Sequence, residues 1–266
     1  MNFPRIFFAV LLIAGAAAAG EAAERRYSIG VHDSVVPDVD SHTYGITGSL
    51  SLEKRTETGR HLVGSVDLFV DHDQDHLDPD HIPIWWKVHL GTDGDLWHAA
   101  AMHVGWTADV NTRMNTVSSV ERQILAFPAI TAQYDGKVLQ PSLQAGAGWF
   151  FLEIDDDVPK TRGYGRDDFR NSTLAYEVGG DLTVRIGASW SIYGHAQHWR
   201  DSHDWLQTQY KAALRMDASH WMKGGELALS AEANEYNLDV YSHPGALPIL
   251  PWDDDLLIRL SLTATR

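Results

Sequence analysis

Apolar and polar positions alternate along most of the chain after residue 26. The clearest run covers 173–186, where apolar side chains occupy the even positions and mostly polar ones the odd positions. A period of two is typical of a β-strand that has two different faces. The apolar face of this run carries Leu174, Tyr176, Val178, Leu182, Val184 and Ile186, and the other face carries Thr173, Glu177, Asp181, Thr183 and Arg185.

Turn residues divide the alternating chain into about twelve strands. Most of them reach the roughly 9 to 11 residues that a tilted membrane-spanning strand needs, and an even number suits a closed barrel. The predicted fold class is therefore all-β, an antiparallel up-and-down transmembrane β-barrel of about 12 strands. The predicted strands cover 26–33, 42–54, 61–71, 83–92, 96–110, 115–135, 137–154, 172–186, 188–199, 204–219, 224–240 and 254–265.

The predicted connections differ in length in a regular way. Tight turns at 92–95, 134–137 and 186–188 interleave with long polar segments at 33–41, 71–82, 155–171 and 241–253. Outer-membrane barrels have this asymmetry of short periplasmic turns and long extracellular loops. Tryptophans near strand ends would form the interfacial girdles, namely Trp85, Trp86, Trp97, Trp106, Trp149, Trp190, Trp199, Trp205, Trp221 and Trp252.

The first 19 residues have the features of a secretory signal peptide. Arg5 precedes the apolar stretch 6–13, and Ala17 and Ala19 suit the small positions before a cleavage site. The apolar stretch is too short to span a bilayer as a helix. We therefore expect a signal peptide at 1–19 and a single barrel domain at 20–266.

Charge limits the classes of partner. The chain has 21 Lys and Arg against 36 Asp and Glu, a formal net charge of −15, which has the wrong sign for binding nucleic acid. It has no Cys, so a disulfide scaffold and a thiolate metal site are excluded.

The polar strand faces are too charged for a dry core, which favours a water-filled lumen over a soluble β-sandwich or lipocalin-like barrel. Predicted lumen residues are Glu177, Asp181, Arg185, Lys211 and Arg215.

Together the signal segment, the alternation and the loop asymmetry make the mature chain resemble the bacterial outer-membrane β-barrel proteins. The resemblance implies a location in the outer membrane of a Gram-negative bacterium. It also implies insertion by the barrel assembly machinery and contact with outer-membrane lipids and lipopolysaccharide.

A short segment at the first long loop offers hydrolytic chemistry. A serine, a histidine and a carboxylate at one rim could form a hydrolytic site, and His32, Asp33 and Ser34 supply such groups. This segment resembles the His-x-Ser motif of the outer-membrane phospholipase A family, and the resemblance implies that His32 is the base and Ser34 the nucleophile. With Asp40 and the Thr43-Tyr44-Gly45 segment it also resembles the lipid A 3′-O-deacylase family. Both resemblances imply a lipid hydrolase with its site at the extracellular rim.

Two further groups of polar side chains are candidates for a site. Asp71, Asp73 and Asp75 lie in an acidic loop that could hold Ca²⁺, or that could meet lipopolysaccharide phosphates through bridging divalent cations. His195, His198 and His203 form a second cluster near another predicted rim. Apart from Ca²⁺, no cofactor is expected.

The first functional hypothesis is a porin-like outer-membrane channel for small solutes, and the sequence leaves open whether the protein is also an enzyme. The mixed-charge lumen and the acidic loops would favour cations or neutral solutes at the mouth. The alternatives are a membrane-embedded phospholipid or lipid A deacylase and a structural or adhesion barrel.

Overall fold

The computed structural model describes residues 23–56, 60–72 and 83–266, so the predicted signal segment lies outside the described residues. The described chain forms a closed barrel in which each strand pairs antiparallel with its sequence neighbours and the first strand pairs with the last. The predicted fold class is confirmed. The strands are β1 Glu24–Val36, β2 Ser41–Arg55, β3 His61–Asp71, β4 Ile84–Ala99, β5 Met102–Met114, β6 Val120–Tyr134, β7 Leu139–Ile154, β8 Arg170–Ile186, β9 Trp190–Arg200, β10 Trp205–Asp217, β11 Glu226–Tyr236 and β12 Asp254–Thr265.

The alternation along each strand separates an apolar outer face from a largely polar inner one. In β8, Leu174 and Val178 point outward and are 66% and 58% exposed, whereas Glu177 between them is buried inside. Large exposed apolar side chains occur on all twelve strands. Such a belt suits contact with lipid and would be unusual on a monomer surrounded by water. Within the described ranges, no helix has the length and hydropathy to cross a bilayer.

The two ends of the barrel differ. At the turn end, strands are joined by 56–60, 100–101, 135–138, 187–189 and 218–225; at the loop end, they are joined by 37–40, 72–83, 115–119, 155–169, 201–204 and 237–253. The predicted long loops near 155–171 and 241–253 lie at the loop end, whereas most of the predicted loop at 71–82 lies outside the described residues. The prediction of a long loop at 33–41 was wrong because β1 and β2 continue pairing up to Val36 and Ser41. A turn through Asp40, with φ 51°, completes this hairpin.

The predicted turn at 92–95 was also wrong. Asp93 continues the ladder opposite His61, and a Cβ on Gly94 would lie 2.8 Å from Nε1 of Trp106. The glycine therefore leaves room for a neighbouring indole instead of turning the chain. The strand continues to the turn at Ala100, where φ is 51°. Other boundaries differ as well: β5 covers Met102–Met114 instead of 96–110, β6 begins at Val120 instead of 115 and β11 ends at Tyr236 instead of 240.

The rim at the loop end is uneven. β9 ends at Arg200, which pairs with Tyr176, while β8 extends back from Tyr176 to Arg170, which pairs with Glu153 of β7. The loop-end parts of β6, β7 and β8 therefore stand above β9. We call this part of the barrel the raised wall.

Three of the ten tryptophans predicted to lie in interfacial girdles are inside the barrel. Trp85, Trp199 and Trp252 are only 1%, 2% and 5% exposed. Trp85 and Trp199 occupy inward positions of their strands, and Trp252 belongs to a loop that folds into the mouth. The exposed tryptophans, which suit the girdle prediction, are Trp97, Trp149, Trp190, Trp205 and Trp221.

Candidate functional site in the barrel lumen

Two ion pairs cross the lumen between distant strands. Lys87 of β4 donates from Nζ to Oε1 of Glu232 on β11 at 2.6 Å. Arg113 of β5 donates from Nη2 to Oδ2 of Asp255 on β12 at 3.1 Å. In each case four other strands separate the partners along the shorter way round the ring. These pairs therefore tie nearly opposite walls together and narrow the lumen.

Asp255 is the centre of a larger buried network. Its carboxylate also accepts from Oγ of Ser118 at 2.7 Å, Nδ2 of Asn234 at 2.7 Å and Oη of Tyr236 at 3.1 Å. Each partner satisfies part of a carboxylate that burial would otherwise penalise heavily.

The network continues from Asn234 to the opposite wall. Asn234 Oδ1 accepts from Gln207 and Gln209 of β10 at 3.0 Å and 2.8 Å. Gln123 of β6 donates to Gln207 Oε1. The hydrogen-bonded path thus crosses the lumen from β5 to β12, follows β11 and β10, and crosses back to β6.

Above this network, two loops fill the mouth with apolar side chains. Loop residues pack with inward residues of the strands and are nearly all shielded from solvent. Trp252 donates from Nε1 to the carbonyl of Ser118 at 3.0 Å, and Tyr241 donates from Oη to the carbonyl of Leu152 at 3.3 Å. We call this group the cap; its loop members are Tyr164, Phe169, Leu238, Tyr241, Ile249, Leu250 and Trp252. The described residues thus obstruct the loop end of the lumen.

Below the network lies a polar cavity of about 470 Å³. A second space of about 470 Å³ lies at the turn end and is lined partly by Arg26, Arg185, Arg215 and Glu226. Arg215 lines both spaces, and its guanidinium lies 4.6 Å from the centre of the Tyr193 ring. Between the turn end and the network the lumen therefore contains two polar spaces, with Arg215 at the boundary between them.

The predicted lumen residues all lie on this inner surface or beside it. Glu177, Lys211 and Arg215 line the central cavity, and Arg185 lines the space at the turn end. Asp181 is held by its neighbours, accepting from Oγ of Ser142 at 3.0 Å and contacting Nδ1 of His195 at 2.9 Å. The alternation alone identified these positions.

His32 has a carboxylate partner that sequence adjacency did not suggest. Its Nε2 lies 2.9 Å from Oδ1 of Asp71, and both side chains are fully buried. Trp85 donates from Nε1 to the same oxygen at 3.2 Å. The ring of His32 reaches Asp71 across Gly45, where a Cβ would lie 2.5 Å from His32 Cε1. Only a glycine on the intervening strand leaves that path open.

The structure separates Asp33 from His32. Successive strand residues point to opposite faces, so Asp33 lies on the outer face. There its Oδ2 contacts Nδ1 of His42 at 3.0 Å. The predicted orienting carboxylate is therefore not beside the predicted base.

Ser34 shares the inward face with His32, but the two side chains form no hydrogen bond. Neither Ser34 Oγ nor His32 Nδ1 has a hydrogen-bond partner within the described ranges. A space of about 10 Å³ beside Ser34 could hold at most one water molecule. The surroundings of Ser34 therefore leave no room for an acyl chain.

The predicted metal residues are only partly described. Asp71 bonds to His32 and Trp85, and Asp73 and Asp75 lie outside the described residues. Elsewhere in the described ranges, two carboxylate groups have metal-compatible spacing: Asp38, Asp253 and Asp254, and Asp155, Asp156 and Asp157. Burial raises the pKa of Asp253, and the neighbouring charge of Asp38 raises it further.

The second histidine cluster is not brought together. His195 points inward and pairs with Asp181, whereas His198 bonds Thr208 on the outer face at 2.9 Å. His203 lies in the connection to β10, where its Nδ1 contacts Ser202 Oγ at 2.8 Å. The three rings therefore form no common site.

The closed ring and its neighbours among solved structures define the fold as that of the outer-membrane β-barrel class. No family model and no curated protein sequence matches the chain. A NanC porin structure is 11% identical over 91% of this chain and 99% of that one, with a TM-score of 0.51. A KdgM porin is 8% identical over 89% and 98%, with a TM-score of 0.47. Outer membrane phospholipase A from Escherichia coli is 10% identical over 95% and 97%, with a TM-score of 0.46. These are likenesses of fold.

Proposed function

We propose that the protein is a porin-like channel of the bacterial outer membrane that carries small polar solutes, and that the described conformation is its closed state. The observation that carries the proposal is the two polar spaces of the lumen inside an apolar outer wall. A charged lumen can replace part of the hydration of a solute, which an apolar lumen could not do. Opening requires the cap to move.

Location and partners belong to the same proposal. A barrel with an apolar belt and a wet interior fits the outer membrane, where the assembly machinery would insert it among phospholipids and lipopolysaccharide. The mixed charge of the lumen favours neutral or zwitterionic solutes. Its walls contain both Lys87, Lys211 and Arg215 and the acidic residues Asp109 and Glu177.

The hydrolase alternative stays a prediction, and the geometry gives it little support. A lipid substrate would have to reach Ser34 from the outer leaflet. Ser34 and His32 face inward and are only 8% and 4% exposed. The lumen offers far more room than the surroundings of Ser34, so the channel is the function that the geometry supports best.

Conductance of the refolded protein in planar phosphatidylcholine bilayers, with and without Ca²⁺, tests the proposal. We expect little current from the wild type and clear, larger steps from Trp252→Ala, because this change removes the buried ring that fixes a cap loop to Ser118. Trp97→Ala is the matched control, since Trp97 is an exposed outward ring at the turn end. The control should behave like the wild type.

Folding is checked by the mobility difference between boiled and unboiled samples on a gel. If Trp252→Ala does not fold, Tyr241→Phe loosens the same cap by removing only the hydroxyl that binds Leu152. A folded cap variant that passes neither ions nor small sugars into vesicles would overturn the channel proposal.

A further inference from the structure

Three arginines surround one buried carboxylate on the outer face of the raised wall. Glu153 has no exposed side-chain surface, although its strand position points away from the lumen. Arg122 Nη2 lies 2.7 Å from Glu153 Oε2, Arg170 Nε lies 2.5 Å from Oε1, and Arg166 Nη2 lies 3.5 Å from Oε1. We call Arg122, Arg166 and Arg170 the arginine triad.

The triad directly follows the aromatic end of the apolar belt. Glu153 pairs with Arg122 on one side and Arg170 on the other, so these three residues form one row across β6, β7 and β8. The next outward row contains Ile124, Phe151 and Ser172, and Trp149 follows below it. Trp149 donates from Nε1 to Ser172 Oγ at 2.9 Å. An amphipathic indole here marks the boundary between acyl chains and headgroups.

The triad keeps many donors free toward the outside. Its side chains are 40% to 44% exposed, while the carboxylate that orders them is fully covered. Arg170 uses only its Nε, so both of its Nη groups have no bond within the described ranges. A guanidinium offers five N–H donors in a planar fork, which suits phosphate oxygens.

The charges around the triad are mixed. Four cations, the triad and Lys160, contact three carboxylates, those of Glu153, Glu121 and Asp156. Asp155 and Asp157 lie next to Asp156, and Asp167 acts on Arg170, so the free N–H donors and not a net positive charge would hold an anion. A phosphate would bind through fixed, outward N–H donors at the edge of the low-dielectric layer, where ionic hydrogen bonds are stronger than in water.

We infer that the arginine triad is a binding site for the phosphate of an outer-leaflet lipid, specifically the phosphorylated glucosamine headgroup of lipid A. Basic pockets at membrane surfaces bind anionic headgroups in this way. The inference rests on the outer-membrane location proposed above. It differs from the sequence-based expectation that lipopolysaccharide is met only through the acidic loop and divalent cations.

The test measures lipid retention by native mass spectrometry of protein refolded in detergent without lipid. Three probes are added in parallel: bisphosphorylated lipid A, the same lipid A with its phosphates removed, and inorganic phosphate. We expect the wild type to retain the phosphorylated lipid, and Arg122→Gln with Arg170→Gln to weaken this retention about tenfold or more. Arg200→Gln is the matched control, because Arg200 is an exposed outward arginine outside the triad.

Equal retention by the wild type and the double variant would overturn the inference. Equal retention of dephosphorylated lipid A would overturn it as well, and binding of inorganic phosphate without the lipid would exclude a lipid headgroup as the ligand. If the double variant does not fold, Arg170→Lys keeps the charge but loses the planar fork and should still reduce retention. The conductance test uses membranes without lipid A, so the channel proposal succeeds or fails separately.

Discussion

Single glycines and their neighbours decide which side chains meet in this barrel. Gly45 leaves the space through which His32 contacts Asp71, two strands away. The contact belongs to a small buried group with Phe69 and Trp85, whose rings stack 3.7 Å apart. An enclosed histidine with a carboxylate and an indole around it is held in one orientation.

We predict that Gly45→Ala destabilises the barrel by about 1 to 3 kcal/mol. The added methyl would lie 2.3 Å from the carbonyl oxygen of Val70 and 2.5 Å from the His32 ring. Urea unfolding monitored by tryptophan fluorescence measures the effect. Gly194→Ala is the matched control, because a Cβ at that strand glycine meets no atom within 4 Å. Equal midpoints for the two variants would contradict this account of Gly45.

At the scale of elements, the cap is formed by two loops that lean on strands of the raised wall. Tyr241 binds the carbonyl of Leu152, and Tyr164 binds the carbonyl of Leu247 at 2.5 Å, so the loops are fastened to β7 and to each other. Burial raises the pKa of Tyr241 well above its ordinary value. The cap therefore depends on this hydroxyl remaining protonated.

The sign of the resulting pH effect follows from the raised pKa. The stability that neutral Tyr241 contributes is complete below the unfolded pKa of about 10 and decreases as pH rises above it. We expect the wild-type cap to loosen between about pH 10 and 12, with increasing channel current. Tyr241→Phe should lack this part of the pH dependence. Current recorded from about pH 8 to 12 compares the two proteins, and identical profiles would show that Tyr241 does not control the cap.

At the scale of the whole molecule, the alternation that predicted the strands should also predict chemical access. Ala213 lines the central cavity of the lumen, whereas Ala145 faces outward. The natural chain has no Cys, so a single introduced thiol is the only one present. We expect Ala213→Cys to react with a charged, membrane-impermeant maleimide applied from the turn end, and Ala145→Cys in vesicles to react slowly. Similar rates would contradict the assignment of faces.

The fold was largely predictable because strand periodicity is a local property. The spacing of Leu174, Tyr176 and Val178 predicts an outward strand face without information about any other strand. The wrong prediction of a turn at 92–95 shows the limit of local sequence patterns. Asp93 and Gly94 are residue types that favour turns, but here Asp93 pairs with His61 and Gly94 lies against the Trp106 ring, so the strand continues. The role of this glycine therefore depends on a neighbouring strand that the local sequence does not show.

The site was less predictable because its contacts depend on register and closure. Arg113 and Asp255 are 142 residues apart, and nothing in either local sequence indicates the other. The same holds for the arginine triad, where Arg122 and Arg170 meet only because Glu153 lies between them on β7. Conversely, residues adjacent in sequence need not meet. Asp33 directly follows His32, but its side chain points to the opposite face of the strand, so the predicted pairing of the two was wrong.

The ladder between β1 and β12 has a consequence for the order of folding. Every other ladder joins neighbouring strands, whereas this one pairs Arg26 with Thr265. Bringing distant segments together costs more chain entropy than forming a hairpin, so we expect this seam to close last. The ties from Lys87 to Glu232 and from Arg113 to Asp255 would then form only at that final step. The two ion pairs would then lower the rate at which β1 and β12 separate, without changing the rates at which the earlier hairpins form.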